Sequence, residues 1–461
     1  GPLEKRGGEG MNPSIFREYD IRGLAEKDFD AGFARLLGKV HGTIVAENGG
    51  RRVAVGRDCR FTSDGYAEAV IEGLLSAGLE VYDIGVCPTP LLYFALFHLD
   101  LDGGVQITAS HNPSEYNGFK VCVGKETLYG SQIQDLRIRM EKGDFRERAG
   151  GRRENYSIIP PYEECLLRDV PALAKSLKVV VDAGSGVAGP VAPPIFRRLG
   201  CKVWEIACVP DGAFPIHHPD PTVPENLAML IHEVKERNAD LGIAYDGDGD
   251  RIGVVDEQGN ILWGDELLIL FSRDILKSHP GAVVISEVKG SQRLYDQISL
   301  HGGEPIMWKA GHSLIKAKMK ETHALLAGEM SGHMFFADRY FGFDDAIYAS
   351  VRLLELLART DRPLSTLLSD LPKSFSTPEI RVDCPDERKF SIAERAKEFF
   401  RRHYPIIDVD GVRIQFPEGW GLIRASNTQP ALVLRFEARS ADKLKEYRDI
   451  VERKLKELES A

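Results

Sequence analysis

The segment RRVAVGRDCRFTSDGYAEAVIEGLLSAGLEVYDIG, residues 51–85, changes its hydrophobic pattern twice. Its two ends, RRVAVGRD and LEVYDIG, are short apolar runs of the kind that form strands. The middle, TSDGYAEAVIEGLLSAG, has apolar residues at helical spacing, and either Thr62 or Ser63 at its start can cap a helix. The segment therefore predicts a β-α-β unit.

The same alternation recurs in two further stretches, LKVVVDAG to LGIAYD (177–246) and DELLILFSRDIL to HALLAGE (265–329). After Pro372 the pattern changes to one helix, three strands and a charged amphipathic helix, which is typical of a small α+β domain. We therefore predict three similar α/β units, each a mixed sheet flanked by helices, and a C-terminal α+β domain. The predicted bounds are 11–155, 156–257, 258–371 and 372–461, with residues 1–10 interpreted as a processing scar or a flexible tail and Met11 as the native start.

Composition narrows the class of protein. Of the 461 residues, 43% are hydrophobic and 28% charged, as in an ordinary globular protein of several domains. The net charge of -10 argues against nucleic acid or an anionic membrane as a partner. Seven scattered cysteines without a C-x-x-C pair fit a reducing compartment, and no apolar run approaches the ~20 residues of a membrane span. We expect a cytoplasmic protein that is a monomer or a weak dimer.

The strongest chemical signal is AYDGDGDRIGVVDEQGN, residues 244–260, in which Asp246, Asp248 and Asp250 alternate with glycines. Three carboxylates in a tight loop repel each other unless a cation lies among them, and oxygen ligands suit Mg²⁺ or Ca²⁺. The loop is not an EF-hand, because Arg251 occupies the position that needs Gly and the flanks read as strands. A metal bound here needs further oxygen ligands, such as those of a phosphate.

A second signal is GVQITASHNPSEYNGFK, residues 104–120, where an apolar run ends in small polar side chains. Ser110 follows the predicted strand and precedes His111 and Asn112, so we expect it on an exposed turn, available as a nucleophile. No G-x-S-x-G elbow or Ser-His-Asp order accompanies it, which disfavours acyl transfer. The alternative is an ordinary turn in which Asn112 caps the local backbone.

Gly184, Gly186 and Gly189 in VVVDAGSGVAGP form a G-x-G-x-x-G after a strand, and Glu205 lies about where a ribose-binding acid would. This pattern makes an NAD-dependent oxidoreductase an alternative. Three prolines crowd the start of the following helix, however, so we favour a plain β-α turn.

Three other loops carry clustered polar groups. GEMSGH (328–333) could bind the hydroxyls of a sugar or cap a loop, and RASNTQP (424–430) could bind a phosphate or form a simple hairpin turn. AGHSLIK (310–316) places His312 before a helix, where a structural histidine is the alternative.

Six loops, EYDIRG, TASHNPSEYNGFK, DGDGDR, GHSLIK, GEMSGH and RASNTQP, occur in the order found in the α-D-phosphohexomutases, which the chain resembles from Tyr19 to its last domain. Met330 in GEMSGH is similar to the phosphomannomutase/phosphoglucomutase branch, since glucosamine mutases typically have Gln there. The resemblance implies four domains in a heart shape, with one loop per domain meeting in a central cleft.

The resemblance also implies roles for individual residues. Ser110 would carry a phosphoryl group, and Mg²⁺ would lie between that group and the three aspartates. The implied catalytic residues are Ser110, His111, Arg22, Lys120, Arg251 and His312; the implied metal ligands are Ser110, Asp246, Asp248 and Asp250. The implied substrate-binding residues are Tyr19, Lys289, Glu329, Ser331, His333, Arg424, Ser426, Asn427 and Thr428. Which residue acts as general base stays open among Arg22, Lys120 and His312.

The implied function is reversible conversion between the 1- and 6-phosphates of mannose and glucose, with small-molecule sugar phosphates as partners and glucose 1,6-bisphosphate as activator or intermediate. The alternatives are a phosphoglucosamine mutase on the same scaffold, an NAD-dependent oxidoreductase, and a sugar-phosphate binder without catalytic activity.

Overall fold

A computed structural model of the protein describes residues 10–427 and 429–461. The chain divides into two compact units: the first runs through Leu267 and includes Ser331–Leu367, and the second contains Leu268–Met330 and Leu368–Ala461. No helix among the described residues has the length and apolar character needed to span a membrane.

The first unit opens with a mixed seven-stranded sheet. Its strands are β1 (Ile21–Leu24), β2 (Arg52–Arg57), β3 (Glu80–Val86), β4 (Gly103–Ile107), β5 (Tyr116–Val123), β6 (Glu126–Thr127) and β7 (Arg152–Asn155). Its helices are α1 (Ala31–Glu47), α2 (Ser63–Ser76), α3 (Thr89–His98) and α4 (Ser131–Lys142). The strand order is β1-β5-β4-β2-β3-β7, with β6 on β5. Strands β4, β2, β3 and β7 are parallel, whereas β5 is antiparallel to β4 and β1.

The β-α-β prediction for residues 51–85 is confirmed by β2, α2 and β3. The capping prediction is wrong, because neither hydroxyl caps α2. The Thr62 hydroxyl accepts a hydrogen bond from the Asn117 amide at 2.9 Å, and the Ser63 hydroxyl donates to Asp58 at 2.6 Å. Both hydroxyls are thus used in contacts with neighbouring loops, which local sequence does not reveal.

The second sheet of this unit has the order β12-β11-β10-β8-β9. Its elements are α5 (Ile159–Asp169), β8 (Lys178–Asp182), α6 (Ala192–Arg198), β9 (Lys202–Ile206), α7 (Ala228–Glu236), β10 (Leu241–Tyr245), β11 (Ile252–Asp256) and β12 (Ile261–Leu262). Strand β10 is parallel to β8 and antiparallel to β11. The β10-β11 hairpin therefore presents residues 246–251 at the end of a fully buried strand pair.

Helix α8 (Gly264–Ser278) continues the chain into the second unit. There follow β13 (Val283–Glu287), α9 (Gln292–Leu300), β14 (Glu304–Trp308), α10 (His312–Thr322) and β15 (Leu326–Gly328), with β13 parallel to both β14 and β15. The chain then adds β16 (Met334–Phe336) and α11 (Ala346–Ala358) to the first unit.

The C-terminal domain is an antiparallel sheet with two helices. Its elements are β17 (Phe375–Ser376), β18 (Ile380–Asp383), α12 (Asp386–Arg401), β19 (Ile406–Ile407), β20 (Val412–Phe416), β21 (Gly419–Ala425), β22 (Ala431–Ala438) and α13 (Ala441–Ser460). Phe400 of α12 and Val451 of α13 lie in one buried cluster with Leu434 of the sheet. The predicted fold class, three α/β units and an α+β domain, is confirmed.

Candidate active site

The serine loop, residues 108–116, connects β4 to β5 and ends at Tyr116, the first residue of β5. Ser110 adopts a left-handed backbone conformation with φ of 54°, which costs a non-glycine residue about 1–3 kcal/mol. The predicted turn is confirmed, but the expected exposure is wrong, since Ser110 is only 3% exposed. The physical reason is the neighbouring hairpin: a Cβ added to Gly247 would lie 2.4 Å from the Ser110 carbonyl oxygen, so the two backbones are in close contact.

The aspartate loop, residues 246–251, lies directly against Ser110. The Ser110 hydroxyl donates to Asp246 Oδ2 at 2.8 Å, and Asp246 Oδ1 accepts the backbone N–H groups of Asp250 and Arg251, each at 3.1 Å. Asp246, Asp248 and Asp250 are fully buried, and one oxygen from each lies within 4.8 Å of the others. The structure thus brings the predicted nucleophile and the predicted metal ligands into direct contact.

The aspartate loop fits a divalent cation. The Oδ1 atoms of Asp248 and Asp250 are buried and have no hydrogen-bond partner within the described part of the chain. Burial, together with the negative charges of Asp250 and Asp248, raises the pKa of Asp246 well above its usual range. Buried carboxylates with oxygens left unpaired are the ligands that a hard cation prefers. The acidic cluster can therefore bind a metal ion beside the Ser110 hydroxyl.

Lys120 on β5 also contacts this cluster. Its ammonium group donates to Asp248 Oδ2 at 3.1 Å and to Asp250 Oδ2 at 2.7 Å, which leaves both Oδ1 atoms available. Burial opposes its charge, but Asp248 and Asp250 raise the pKa of Lys120 well above its usual value. Thr89, which no sequence motif singled out, donates its hydroxyl to Asp248 Oδ2 at 2.5 Å.

Two further predicted residues lie near Ser110. His111 Nδ1 is 3.3 Å from the Ser110 hydroxyl oxygen, and burial with the nearby charges of Arg251 and Arg22 lowers the pKa of His111 well below its usual value. The His111 ring is therefore neutral at physiological pH. Arg22 donates to the Asn112 side-chain oxygen at 2.7 Å, so Asn112 binds a neighbouring strand rather than capping its own turn.

At the start of the same domain, Tyr19 lies half-buried in the bend before β1. The next residue, Asp20, accepts from Arg22 Nε at 3.1 Å and thereby fixes the guanidinium beside the serine loop. The EYDIRG segment thus contributes Arg22 to the surroundings of Ser110.

The second half of GEMSGH also belongs to the first unit. Arg251 Nε donates to the Ser331 carbonyl oxygen at 3.0 Å, which links this loop to the aspartate loop. His333 Nδ1 is 3.0 Å from the carboxylate of the fully buried Asp344. No spacing or motif in the sequence identifies Asp344 as the partner of His333.

The glycine-rich turn after β8 is packed against protein backbone. A Cβ on Gly186 would lie 2.6 Å from the Gly247 carbonyl oxygen, and one on Gly189 would lie 2.0 Å from that of Cys208. Glu205, the candidate ribose ligand, accepts from Arg197 at 2.8 Å instead. The interpretation as a plain β-α turn is confirmed, and these glycines permit the close approach of neighbouring loops.

In the second unit, three loops meet around Lys289 and Glu329. Glu287 accepts the backbone N–H groups of Lys289 at 2.6 Å and of Met330 at 3.0 Å. Glu329 Oε2 accepts the Gly311 N–H at 2.9 Å, immediately before His312, the first residue of α10. Hydrogen bonds from backbone N–H groups to the carboxylates of Glu287 and Glu329 therefore join the Lys289, Glu329 and His312 loops.

The phosphate loop predicted at residues 424–430 joins the same cluster. Arg424 donates through two nitrogens to Asp410, at 3.1 and 3.0 Å, and Asp410 also accepts the Ala310 N–H at 2.9 Å. The Ser426 hydroxyl accepts the Gln429 N–H at 3.1 Å across the turn, and Asn427 is exposed. Thr428 lies outside the described residues.

Charges in this cluster are balanced by carboxylates that the sequence did not identify. Lys289 Nζ is 3.2 Å from Glu379. Burial opposes the charge of Lys289, while Glu287 and Glu379 raise its pKa and the positive charge of Arg424 acts against them. Two cations therefore lie close enough to influence each other, an arrangement that favours a bound anion.

Known proteins share this fold. Family models described as phosphoglucomutase/phosphomannomutase alpha/beta/alpha domains I, II and III match residues 13–147, 162–259 and 263–375, and the C-terminal domain model matches 379–454. The chain therefore belongs to the α-D-phosphohexomutase family, in its phosphomannomutase/phosphoglucomutase branch, as the sequence predicted.

Individual relatives cover nearly the whole chain. A phosphomannomutase/phosphoglucomutase of Pseudomonas aeruginosa is 49% identical over 97% of this chain and 96% of its own length. A phosphoglucomutase of Neisseria gonorrhoeae is 46% identical over 92% and 93%. The crystal structure of a phosphoglucomutase/phosphomannomutase family protein from Burkholderia thailandensis aligns with a TM-score of 0.91 at 43% identity, covering 97% of this chain and 98% of that one.

Proposed function

We propose that the protein reversibly interconverts the 1- and 6-phosphates of mannose and of glucose, acting as an intramolecular phosphotransferase. The observation that carries this proposal is the 2.8 Å hydrogen bond between the Ser110 hydroxyl and Asp246 inside a buried cluster of three aspartates. A serine used only to stabilise a turn has no need of that cluster. The names of the Pseudomonas and Neisseria relatives support the choice of sugars.

In the proposed reaction Ser110 accepts a phosphoryl group from the substrate and later returns it. Asp246, Asp248 and Asp250, with an oxygen on Ser110, would bind Mg²⁺, which when bound supplies charge stabilisation to the transferring group. The Lys120 ammonium lies 2.7 Å from Asp250, and Arg251 is the last residue of the aspartate loop, so both bring positive charge that favours an anionic phosphoryl group. His111, with its neutral ring 3.3 Å from the Ser110 oxygen, lies within reach to exchange a proton with it.

Recognition of the sugar is assigned to the remaining predicted residues. Glu329 and Ser331 would bind sugar hydroxyls, and Arg424 with Ser426, Asn427 and Thr428 would bind the phosphate that is not reacting. The charge of Lys289 beside Arg424 supports an anion at this place. Tyr19, Arg22, His312 and His333 complete the proposed site residues. Glucose 1,6-bisphosphate is proposed as activator and intermediate, since a sugar that receives a second phosphate from Ser110 is a bisphosphate.

We also retain the domain bounds 11–155, 156–257, 258–371 and 372–461 as a proposal. Matches of the four family models to 13–147, 162–259, 263–375 and 379–454 support them. A cytoplasmic location and a monomeric or weakly dimeric state are proposed from composition alone.

The test is a coupled assay of three sugar 1-phosphates, those of mannose, glucose and glucosamine, combined with intact-mass analysis after incubation with glucose 1,6-bisphosphate. The proposal expects turnover of mannose and glucose 1-phosphates and one added phosphate that disappears in Ser110→Ala. Turnover of glucosamine 1-phosphate alone would assign the protein to the phosphoglucosamine branch. Binding of glucose 1-phosphate without any 6-phosphate product would refute catalysis.

A further inference from the structure

Arg60 lies between β2 and α2, outside every motif identified in the sequence, and its side chain is fully buried. Two of its nitrogens donate only to the serine loop. The acceptors are the carbonyl oxygens of Ser110 at 3.1 Å, Asn112 at 2.8 Å, Pro113 at 2.6 Å and Tyr116 at 3.1 Å. One guanidinium group therefore donates to four carbonyl groups of the loop that carries the predicted nucleophile; one of the four, that of Pro113, also accepts the Tyr116 N–H at 3.1 Å.

This arrangement answers a physical difficulty of the serine loop. Carbonyl groups that turn inward away from a strand must find donors, because an unpaired buried carbonyl costs free energy. A guanidinium group is suited to the task, since its several N–H donors lie in one rigid plane. The left-handed conformation of Ser110 adds a need for restraint, because strained backbone persists only where surrounding contacts fix it.

Arg60 is itself held in place from two sides. Asp58 accepts the Arg60 side-chain Nε and the backbone N–H, both at 3.0 Å. The ring of Phe214, in the second predicted domain, lies 5.0 Å from the guanidinium carbon in a cation–π contact. Contacts outside the serine loop thus fix the orientation of the guanidinium plane. The guanidinium can therefore restrain the backbone around Ser110.

We propose that Arg60 is a positioning residue for phosphoryl transfer, which holds the backbone of the serine loop so that the Ser110 hydroxyl lies against Asp246. This inference rests on the proposed function. It adds Arg60 as a residue that supports the reaction without touching the substrate. Its four loop contacts are made to backbone carbonyls, so side-chain substitutions within the loop leave them in place, whereas a change at Arg60 removes them all.

The expected signature is a loss of kcat with little change in KM. A loop displaced by about 1 Å costs on the order of 100-fold in rate. The residues proposed to bind sugar and phosphate in the second unit contribute to KM, whereas Arg60 donates to the serine loop of the first unit.

A matched control is available in Arg352, another buried arginine of the first unit. It donates to Asp338 at 2.7 Å and to a backbone carbonyl at 3.0 Å, and it lies 4.9 Å from the ring of Phe336. Truncation at either arginine removes a buried ion pair, hydrogen-bond donation to a backbone carbonyl oxygen, and a cation–π contact. Only truncation at Arg60 removes donors from the serine loop.

The experiment compares wild-type protein with Arg60→Lys, Arg60→Ala and Arg352→Ala, measuring Tm, kcat, KM and the rate at which glucose 1,6-bisphosphate phosphorylates Ser110 by intact mass. We expect both alanine variants to lower Tm, but only Arg60→Ala to lower kcat and the phosphorylation rate about 100-fold, with partial rescue by added guanidinium ion. Arg60→Lys keeps the charge but loses the planar fork, so we expect an intermediate rate.

The inference is overturned if folded Arg60→Ala retains kcat within about threefold of wild type, or if kcat falls equally in Arg352→Ala. If Arg60→Ala does not fold, Arg60→Lys decides, and a wild-type kcat in that variant overturns the inference. Absence of turnover in the wild-type protein would instead refute the proposed function, so the two failures are distinguishable.

Discussion

The proposed binding residues of the two compact units differ in the sign of their charge. In the first, Asp246, Asp248 and Asp250 are buried together, and burial with their mutual repulsion raises the pKa of Asp246. In the second, Arg424 lies 3.0 Å from Asp410, and Lys289 lies 3.2 Å from Glu379. A cluster with excess negative charge favours a bound cation, whereas two neighbouring cations can exchange their carboxylate partners for a phosphate.

Each unit also contains a buried arginine that donates hydrogen bonds to the backbone carbonyls of a proposed functional loop. Arg413 of the second unit is fully buried, donates to the carbonyl oxygens of Val288 and Gly290 at 2.7 Å each, and stacks on Trp420 at 3.8 Å. It therefore holds the backbone on both sides of Lys289, as Arg60 holds the backbone around Ser110. Burial of the guanidinium group lowers the pKa of Arg413 to about 10. From this comparison we expect that changes at the serine and aspartate loops of the first unit alter kcat, and that changes around Lys289 and Arg424 in the second unit alter KM.

The largest expected effect is that of Ser110→Ala. Deleting the hydroxyl removes the proposed phosphoryl carrier, so kcat should fall by roughly 10⁴-fold or more while the fold is kept. Steady-state assays measure kcat, and circular dichroism checks that the fold is kept. Ser114→Ala, in the same loop but bonded only weakly to Glu115 at 3.5 Å, is the control and should keep its activity. Wild-type turnover in Ser110→Ala would contradict the assignment.

The next effect concerns the metal and does not require activity. Mg²⁺ at 100 times its Kd should stabilise the wild-type protein by about 2.7 kcal/mol, seen as a rise in Tm that EDTA reverses. Asp248→Asn should abolish that rise because it removes a ligand charge. Asp256→Asn, in the same hairpin, removes a carboxylate that accepts the N–H groups of Gln258 and Asn260, so it should lower Tm but keep the Mg²⁺ response. An undiminished response in Asp248→Asn would place the ion elsewhere.

A smaller effect is expected at Arg424. Loss of its charge-assisted hydrogen bonds to a phosphate, about 1.5–3 kcal/mol, should raise KM roughly 10- to 100-fold in Arg424→Ala, with a smaller change in kcat. Arg401→Ala removes an exposed arginine that pairs with Asp408 at 3.2 Å and should leave KM unchanged. If Arg424→Ala lowered kcat without changing KM, the proposal that Arg424 acts in substrate binding would be wrong.

The smallest effect tests the carboxylate beside Lys289. Glu379→Gln removes the negative charge that competes with a phosphate for Lys289, so KM should fall by up to about fivefold, in line with an ion pair worth at most about 1 kcal/mol. Glu446→Gln, which breaks the exposed pair with Lys443, serves as control. A rise in KM for Glu379→Gln would instead show that Glu379 positions the lysine.

Much of the fold and the chemistry of the loops could be predicted from the sequence. Helix and strand periodicity is a local property, so β2, α2 and β3 were predicted from 35 consecutive residues, 51–85. Likewise, three aspartates alternating with glycines predict a cation site because charge repulsion acts within the loop itself. The turn at Ser110 was predicted for the same local reason.

The tertiary structure alone decided which residues support those loops. Arg60 and Thr89 lie far along the chain from their partners, and neither occurs in a recognisable motif. Their roles follow from β2 and α3 being placed beside the serine and aspartate loops, where buried carbonyl and carboxylate groups need donors. Ser110 proved buried for the same reason, since Gly247 brings a second domain onto its backbone. Sequence determines what each loop can do chemically, but only packing between distant segments determines which groups lose water and must therefore find a partner.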